Sequence, residues 1–172
     1  MTNEVAVAMR EFLVERLKTE VNTTKKVLQA IPDDKEKSSY KHDPKSRSAW
    51  ELAWHLAGVD VQFLEGIPKL SFASMADEAD FLKKNEPATI AAMCEWYGNE
   101  MERVIERVNS MTPEELTTEV EFFMYKQPAV AYLAFVTSHS IHHRGELATY
   151  LRPMGSKVPS IYGPSADEQM GG

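Results

Sequence analysis

Residues 132–150 read YLAFVTSHSIHHRGELATY, and the phase of this stretch decides the fold. At about 100° per residue, Tyr132, Val136, His139, His143, Leu147 and Tyr150 fall within one sector of about 80°. Such a stripe is helical, and its width is that of a face turned toward a core. Two imidazoles lie in its middle. Burying a polar group without a partner is costly, so His139 and His143, one turn apart, need something to share. A transition metal is the commonest shared partner. Hydrogen bonds inside the core satisfy the same pair, and spacing alone leaves both readings open.

The neighbouring polar residues take lesser parts. His142 lies about 100° from His143, on the flank of the stripe, in a supporting or surface position. Glu146, one turn beyond His142 and His143, is placed to orient a ligand imidazole or to pair with Arg144 on the surface. Ser140 follows His139 where a metalloprotease would carry glutamate, so the HEXXH motif is absent.

Three more long segments share this periodicity, and nothing of similar length alternates like a strand. The first spans about Asn3 to Ala30, with Met9, Phe12, Leu13, Leu17, Val21, Val27 and Leu28 as its stripe, and ends at Pro32-Asp33-Asp34. The second begins near Ser48, whose spacing to Glu51 is that of a capping box. It runs to about Glu65 and stops at Gly66-Ile67-Pro68. The third opens at Asn85-Glu86-Pro87 and ends near Ser110. The fourth, about Pro128 to Arg152, contains the opening stretch and is closed by Pro153. Thr112-Pro113-Glu114-Glu115 marks a short helical turn, and Thr117 to Met124 reads as a brief strand.

Four such helices predict an all-α four-helix bundle. Its connections, roughly 15 to 20 residues, exceed the usual ~2–8 of up-and-down bundles, so one is a crossover. The Gly66 to Lys84 link is assigned that role. The chain reads as one domain over residues 1–172, with an irregular tail from about residue 153 that is mobile at its end.

The second helix offers a third imidazole. Ser48, Leu52, His55, Val59 and Phe63 form one seam, which turns His55 inward to meet His139 and His143 across the core. Three imidazoles leave a position for water or substrate, as in a catalytic rather than a closed structural site. His42, beside Asp43-Pro44, is assigned to an exposed loop. Cys94 lies on an interior phase and reads as a small buried hydrophobe. Trp50, Trp54, Ala57, Val61 and Leu64 form a second apolar line on the His55 helix, which suits a homodimer interface. Tyr162 and the tail glycines are read either as a cover over the metal mouth or as a disordered end.

The 172 residues are 43% hydrophobic and 26% charged, with a net charge of −7, which argues against a nucleic-acid partner. A lone cysteine precludes an internal disulfide and fits a reducing cytoplasm. The N-terminus lacks the pattern of a signal peptide. The longest apolar run, Ala129 to Val136, is far short of the ~20 residues of a membrane span.

Three stretches together resemble the DinB-like family of damage-inducible bacterial metal proteins, which is distinct from the translesion polymerase of the same name. They are Trp50 to Ala57 around His55, His139 to Leu147, and the tail Leu151 to Ser165. The resemblance implies a bundle of up-down-down-up topology and a divalent metal, usually zinc or nickel. One histidine of the second helix and an HxxxH pair of the fourth would bind it, positions that fall on His55, His139 and His143. The family's usual glutamine after Arg-Gly is Glu146 here, which leaves its orienting role open. Relatives include S-transferases that use low-molecular-weight thiols such as bacillithiol, mycothiol or glutathione. A metal-dependent transferase acting with such a thiol is therefore expected. A metal-dependent hydrolase and a non-catalytic metal-holding stress protein are the alternatives.

Overall fold

The computed structural model describes residues 1–169. Four long helices carry the core: α1 (Asn3–Gln29), α3 (Ala49–Lys69), α5 (Ile90–Asn109) and α7 (Tyr132–Leu151). Short helices α2 (Lys35–Ser38), α4 (Met75–Lys84) and α6 (Pro113–Thr117) fill the connections. Strands β1 (Glu119–Phe122) and β2 (Tyr125–Pro128) pair antiparallel, and a 3-10 turn, Ala129–Ala131, leads into α7.

Named side-chain pairs give the direction of each helix. Asn3 bonds Glu114, and Arg10 bonds the Asn109 carbonyl, so α1 starts where α5 ends and the two are antiparallel. Asp60 meets Tyr97 and Glu65 meets Arg103, which makes α3 and α5 parallel. His55 faces His143 while Phe63 faces Phe135, which makes α3 and α7 antiparallel. The order is up-down-down-up. Two parallel consecutive helices require the chain to return along the bundle, and residues 70–89, including α4, do so.

Local chemistry explains the ends of the helices. The Ser48 capping box forms as expected: Glu51 N–H donates to Ser48 Oγ at 3.1 Å, and Ser48 N–H donates to Glu51 Oε2 at 2.6 Å. Helix α3 runs past the expected stop at Gly66 and carries Pro68 in its last turn, at the cost of one helical N–H. Leu70 then closes it in the left-handed region, at φ 53°. Helix α5 begins later than Asn85, capped by Thr89, whose hydroxyl accepts from Ala92 N–H at 3.1 Å. The fourth long helix likewise starts at Tyr132 rather than Pro128, since Ala129–Ala131 winds as the 3-10 turn.

Helix α4 was not legible in the sequence, and it changes the reading of the tryptophans. Trp54 Nε1 donates to the Leu82 carbonyl at 2.8 Å, and Trp50 Nε1 donates to Glu86 Oε1 at 2.5 Å. Trp54 is 5% exposed. Trp50 and Trp54 of the second apolar line of α3 are thus engaged by the chain's own crossover. Gly58 permits the approach, because a Cβ there would lie 2.2 Å from Leu82 Cδ2.

The tail after Leu151 is irregular, as expected, but it is fastened. Ser156 Oγ donates to the Ala30 carbonyl at 2.5 Å, Arg152 pairs with Asp167 at 2.9 Å, and Val158 and Ile161 pack on the core. The extreme end, residues 170–172, for which mobility was expected, lies outside the described residues. Among the described residues no helix is long and apolar enough to cross a membrane.

Candidate metal centre

Facing turns of α3 and α7 bring His55, His139 and His143 together. Ring centroids are 4.5 Å apart for His139–His143, 4.8 Å for His55–His143 and 5.5 Å for His55–His139. One potential ligand nitrogen from each ring lies within 4.8 Å of the other two. A tetrahedral cation with Zn–N bonds of about 2.0–2.1 Å would hold such nitrogens roughly 3.3 Å apart. The His139 and His143 side chains are 16% and 14% exposed, so the cluster lies just beneath the surface.

The protonation pattern suits a cation. His139 Nδ1 lies 2.7 Å from Asp60 Oδ1, and His143 Nδ1 lies 3.3 Å from Glu146 Oε2. A carboxylate only accepts, so each Nδ1 facing one carries the proton and the ring offers the Nε2 lone pair. Burial pushes the His55 imidazole down to about 3, with Arg47, His143 and His139 adding repulsion. Burial also lowers His143, with His139 adding to the shift and Glu146 opposing it. These two rings are therefore neutral near pH 7, the form that binds metal.

The supporting residues divide unequally. Glu146 touches His143 as one of its two expected roles required, whereas Arg144 is buried and makes no pair with it. His142 is exposed, its ring 4.8 Å from that of His143; with His143 and Glu146 it forms a second, shallower cluster. His42 stands apart and is tied down although exposed. Its Nδ1 meets the Tyr40 hydroxyl at 3.0 Å, its Nε2 meets Thr149 Oγ1 at 2.9 Å, and its ring lies 4.1 Å from that of Tyr150. Cys94 is buried as expected, and burial raises its thiol pKa, so it is no ready nucleophile.

Asp60 was missed in the sequence. It is fully buried, and its second oxygen accepts from the Tyr97 hydroxyl at 3.0 Å. The signal was present: one carboxylate inside the apolar run Leu56 to Leu64 must have polar partners to be buried. Tyr162 was expected near the mouth of the site or in a disordered end. Its hydroxyl instead donates to Glu20 at 2.5 Å, in the seam between α1 and α7.

Beyond the histidines lies an aromatic shelf. Phe63 stacks on Phe135 at 4.6 Å and on Phe72 at 4.6 Å, with Phe122 at 4.8 Å edge-on. A narrow pocket between Phe63, Phe72 and Phe122 also holds Gln62 and Glu78. Burial raises the Glu78 carboxyl, while His139 and then Arg47 pull it down by charge. Roomier clefts, about 550 Å³ beside Lys157 and Asp167, about 520 Å³ beside Lys25 and Cys94 and about 500 Å³ beside Glu65 and Trp96, are lined by no histidine.

The fold is shared with known proteins. A DinB-like protein of Bacillus cereus ATCC 10987 superposes with a TM-score of 0.71 at 23% identity, over 88% of this chain and 97% of that one. A DinB-like protein of Bacillus subtilis, YjoA, gives 0.66 at 24% identity, over 92% and 99%. In sequence, the uncharacterized protein YrdA of Bacillus subtilis strain 168 is 25% identical over 153 residues, covering 87% of this chain and 85% of the relative. The model of the DinB family matches residues 1–170, and the chain belongs to that family.

Proposed function

We propose that the chain binds a divalent transition metal, zinc or nickel, through His55, His139 and His143, and acts as a metal-dependent transferase with a low-molecular-weight thiol. The observation that carries the metal reading is the convergence of three imidazoles whose ligand nitrogens lie within 4.8 Å of one another. The carboxylates behind His139 and His143 support it, because such partners fix tautomer and orientation. In this reading Glu146 orients His143, and exposed His142 lies at the rim.

When bound, the metal supplies a Lewis acid that lowers the pKa of a thiol or water at its remaining position. The protein's own groups then define what can approach. Phe63 and Phe135 offer an apolar surface one to two turns from the histidines, suited to a hydrophobic portion of a substrate. Glu78 offers a carboxyl at the edge of that surface.

A second reading, a non-catalytic metal-holding bundle, is favoured by the placement of the roomiest described clefts, about 500–550 Å³, whose linings include no histidine. One experiment separates these readings. Metal content of the wild type is compared with that of His55→Ala and His143→Ala, and calorimetry with glutathione, bacillithiol and mycothiol follows on the loaded protein. Bound metal lost in both variants, with one thiol binding only the loaded form, supports the transferase. Metal without thiol binding supports the non-catalytic bundle, whereas turnover of ester or amide substrates without thiol supports a hydrolase. Equal metal content in all three proteins refutes the site.

A further inference from the structure

Beneath the crossover, between α3, α4 and α5, lies a cleft of about 500 Å³. That volume is within the range of small-molecule sites. Phe81 of α4 and Trp96 of α5 build its aromatic wall, their ring centroids 6.1 Å apart and their planes inclined at 42°. Trp54 backs both rings, 6.5 Å from Phe81 and 5.0 Å from Trp96, and its indole N–H already donates to the Leu82 carbonyl. The wall is therefore held in shape by the bundle itself.

Charge in the cleft is satisfied internally. Glu65 takes Arg103, Arg107 and, at 3.4 Å, Lys69. Arg103 also holds Glu100 at 2.8 Å. Asp77 accepts from the Ser74 hydroxyl at 2.6 Å, within the cap of α4. Every carboxylate of the lining thus has a partner, and each of its cations has a carboxylate. A charged ligand entering here would give up water without gaining a free counter-charge.

Gln62 stands outside this balance. It belongs to the linings of both the cleft and the narrow pocket beside Phe63, Phe72 and Phe122. Its Oε1 is buried and has no hydrogen-bond partner among the described residues. A buried acceptor left unpaired lowers stability, and an apolar residue would fill this place, between buried Val61 and Phe63, at less cost. The last torsion of glutamine is broad, so a small turn of the amide offers its oxygen to a molecule in the cleft.

We propose that the cleft between α3, α4 and α5 binds a neutral aromatic molecule carrying an N–H donor, of the aromatic carboxamide class. Trp96 and Phe81 lie against its ring, and Gln62 Oε1 accepts its N–H. No histidine lines the cleft, and the site stands whether or not the histidine cluster holds a metal.

Three molecules of nearly one shape test this on the full chain: benzamide, benzoate and benzamidine, which are neutral, anionic and cationic at neutral pH. Proton–nitrogen NMR spectra report the Trp96 indole and the Gln62 side-chain amide directly during each titration. Benzamide shifts both signals and saturates with a dissociation constant of about 1 mM, the scale of a small fragment. The two charged molecules bind about tenfold more weakly or worse. In Gln62→Leu the benzamide affinity falls about fivefold to tenfold. The melting temperature of that variant equals or exceeds the wild-type value, because an apolar group replaces an unpaired acceptor, whereas a structural glutamine would cost stability when lost. No saturable shift with benzamide, equal affinity for all three molecules, or unchanged benzamide affinity in Gln62→Leu overturns the proposal. So does a Gln62→Leu protein that melts below wild type or fails to fold, since the amide then has its partner within the fold.

Discussion

Asp60 Oδ1 and His139 Nδ1, 2.7 Å apart, make the shortest polar contact of the histidine cluster, and the carboxylate behind it is wholly buried. A carboxylate in that position holds the ring orientation and the tautomer together. Asp60→Asn keeps the shape but turns an N–H toward either Tyr97 or His139. Zinc affinity, read by competition with a chromophoric chelator, is expected to fall about 10–100-fold. Asp60→Ala also leaves two buried donors unpaired, at about 1–3 kcal/mol each, and lowers the melting temperature. An Asp60→Asn protein with wild-type affinity would remove Asp60 from the site.

The depressed imidazoles predict a pH dependence for the metal-free protein. His55 titrates from 6.5 in the unfolded chain down to about 3 in the folded one. Between those values the unfolded chain binds a proton that the folded one refuses, so stability falls as pH drops from about 6.5 toward 3. His143 shifts in the same direction and adds to the slope. Urea midpoints at pH 7 and pH 5 should differ more in wild type than in His55→Gln. Equal differences would show that His55 ionises in the folded protein as freely as in water.

The sequence carried much of this arrangement, for identifiable reasons. The His139 and His143 stripe and the seam through His55 are long periodic patterns, and periodicity reports which face is buried. The Ser48 cap was readable because its chemistry is local, and the parallel pair of helices followed from the family resemblance and a long connection. Helix α4 was not legible, since it is short, none of its residues is fully buried, and only Phe81 and Leu82 pack against the core. Asp60 was passed over because periodicity weighs apolar residues and is silent about a lone carboxylate among them. Tyr162 lies in an irregular segment, where no repeat says which way a side chain points.

Gly58 ties the crossover to the bundle, and its replacement tests that contact. In Gly58→Ala the new methyl would sit 2.2 Å from Leu82 Cδ2, with Trp54 close by at 3.7 Å. Overpacking of this kind costs about 1–3 kcal/mol, against a helix-propensity gain of about 1 kcal/mol. A net loss of up to about 2 kcal/mol is expected, and shortening Leu82 to alanine in the same protein should recover part of it. If Gly58→Ala alone melts above wild type, α4 does not press on α3 as described.

Glu20 and Arg144 predict a sharp contrast with the ion pairs of the surface. Their side chains are 0% and 1% exposed, and the carboxylate lies 2.6 Å from the guanidinium. Removing one charge from such a pair strands the other in a medium that solvates it poorly. Glu20→Gln should therefore cost about 3–5 kcal/mol in chemical unfolding. Replacing both partners by methionine, which fills similar volume without charge, should cost less than either single change, because nothing is left stranded. The Lys18–Glu15 pair is as short, at 2.6 Å, but 47% and 72% exposed. Lys18→Ala should alter stability by no more than about 0.5 kcal/mol, since solvent screens both charges. If Glu20→Gln costs no more than Lys18→Ala, water reaches the buried pair, and the tail does not seal Arg144 from solvent.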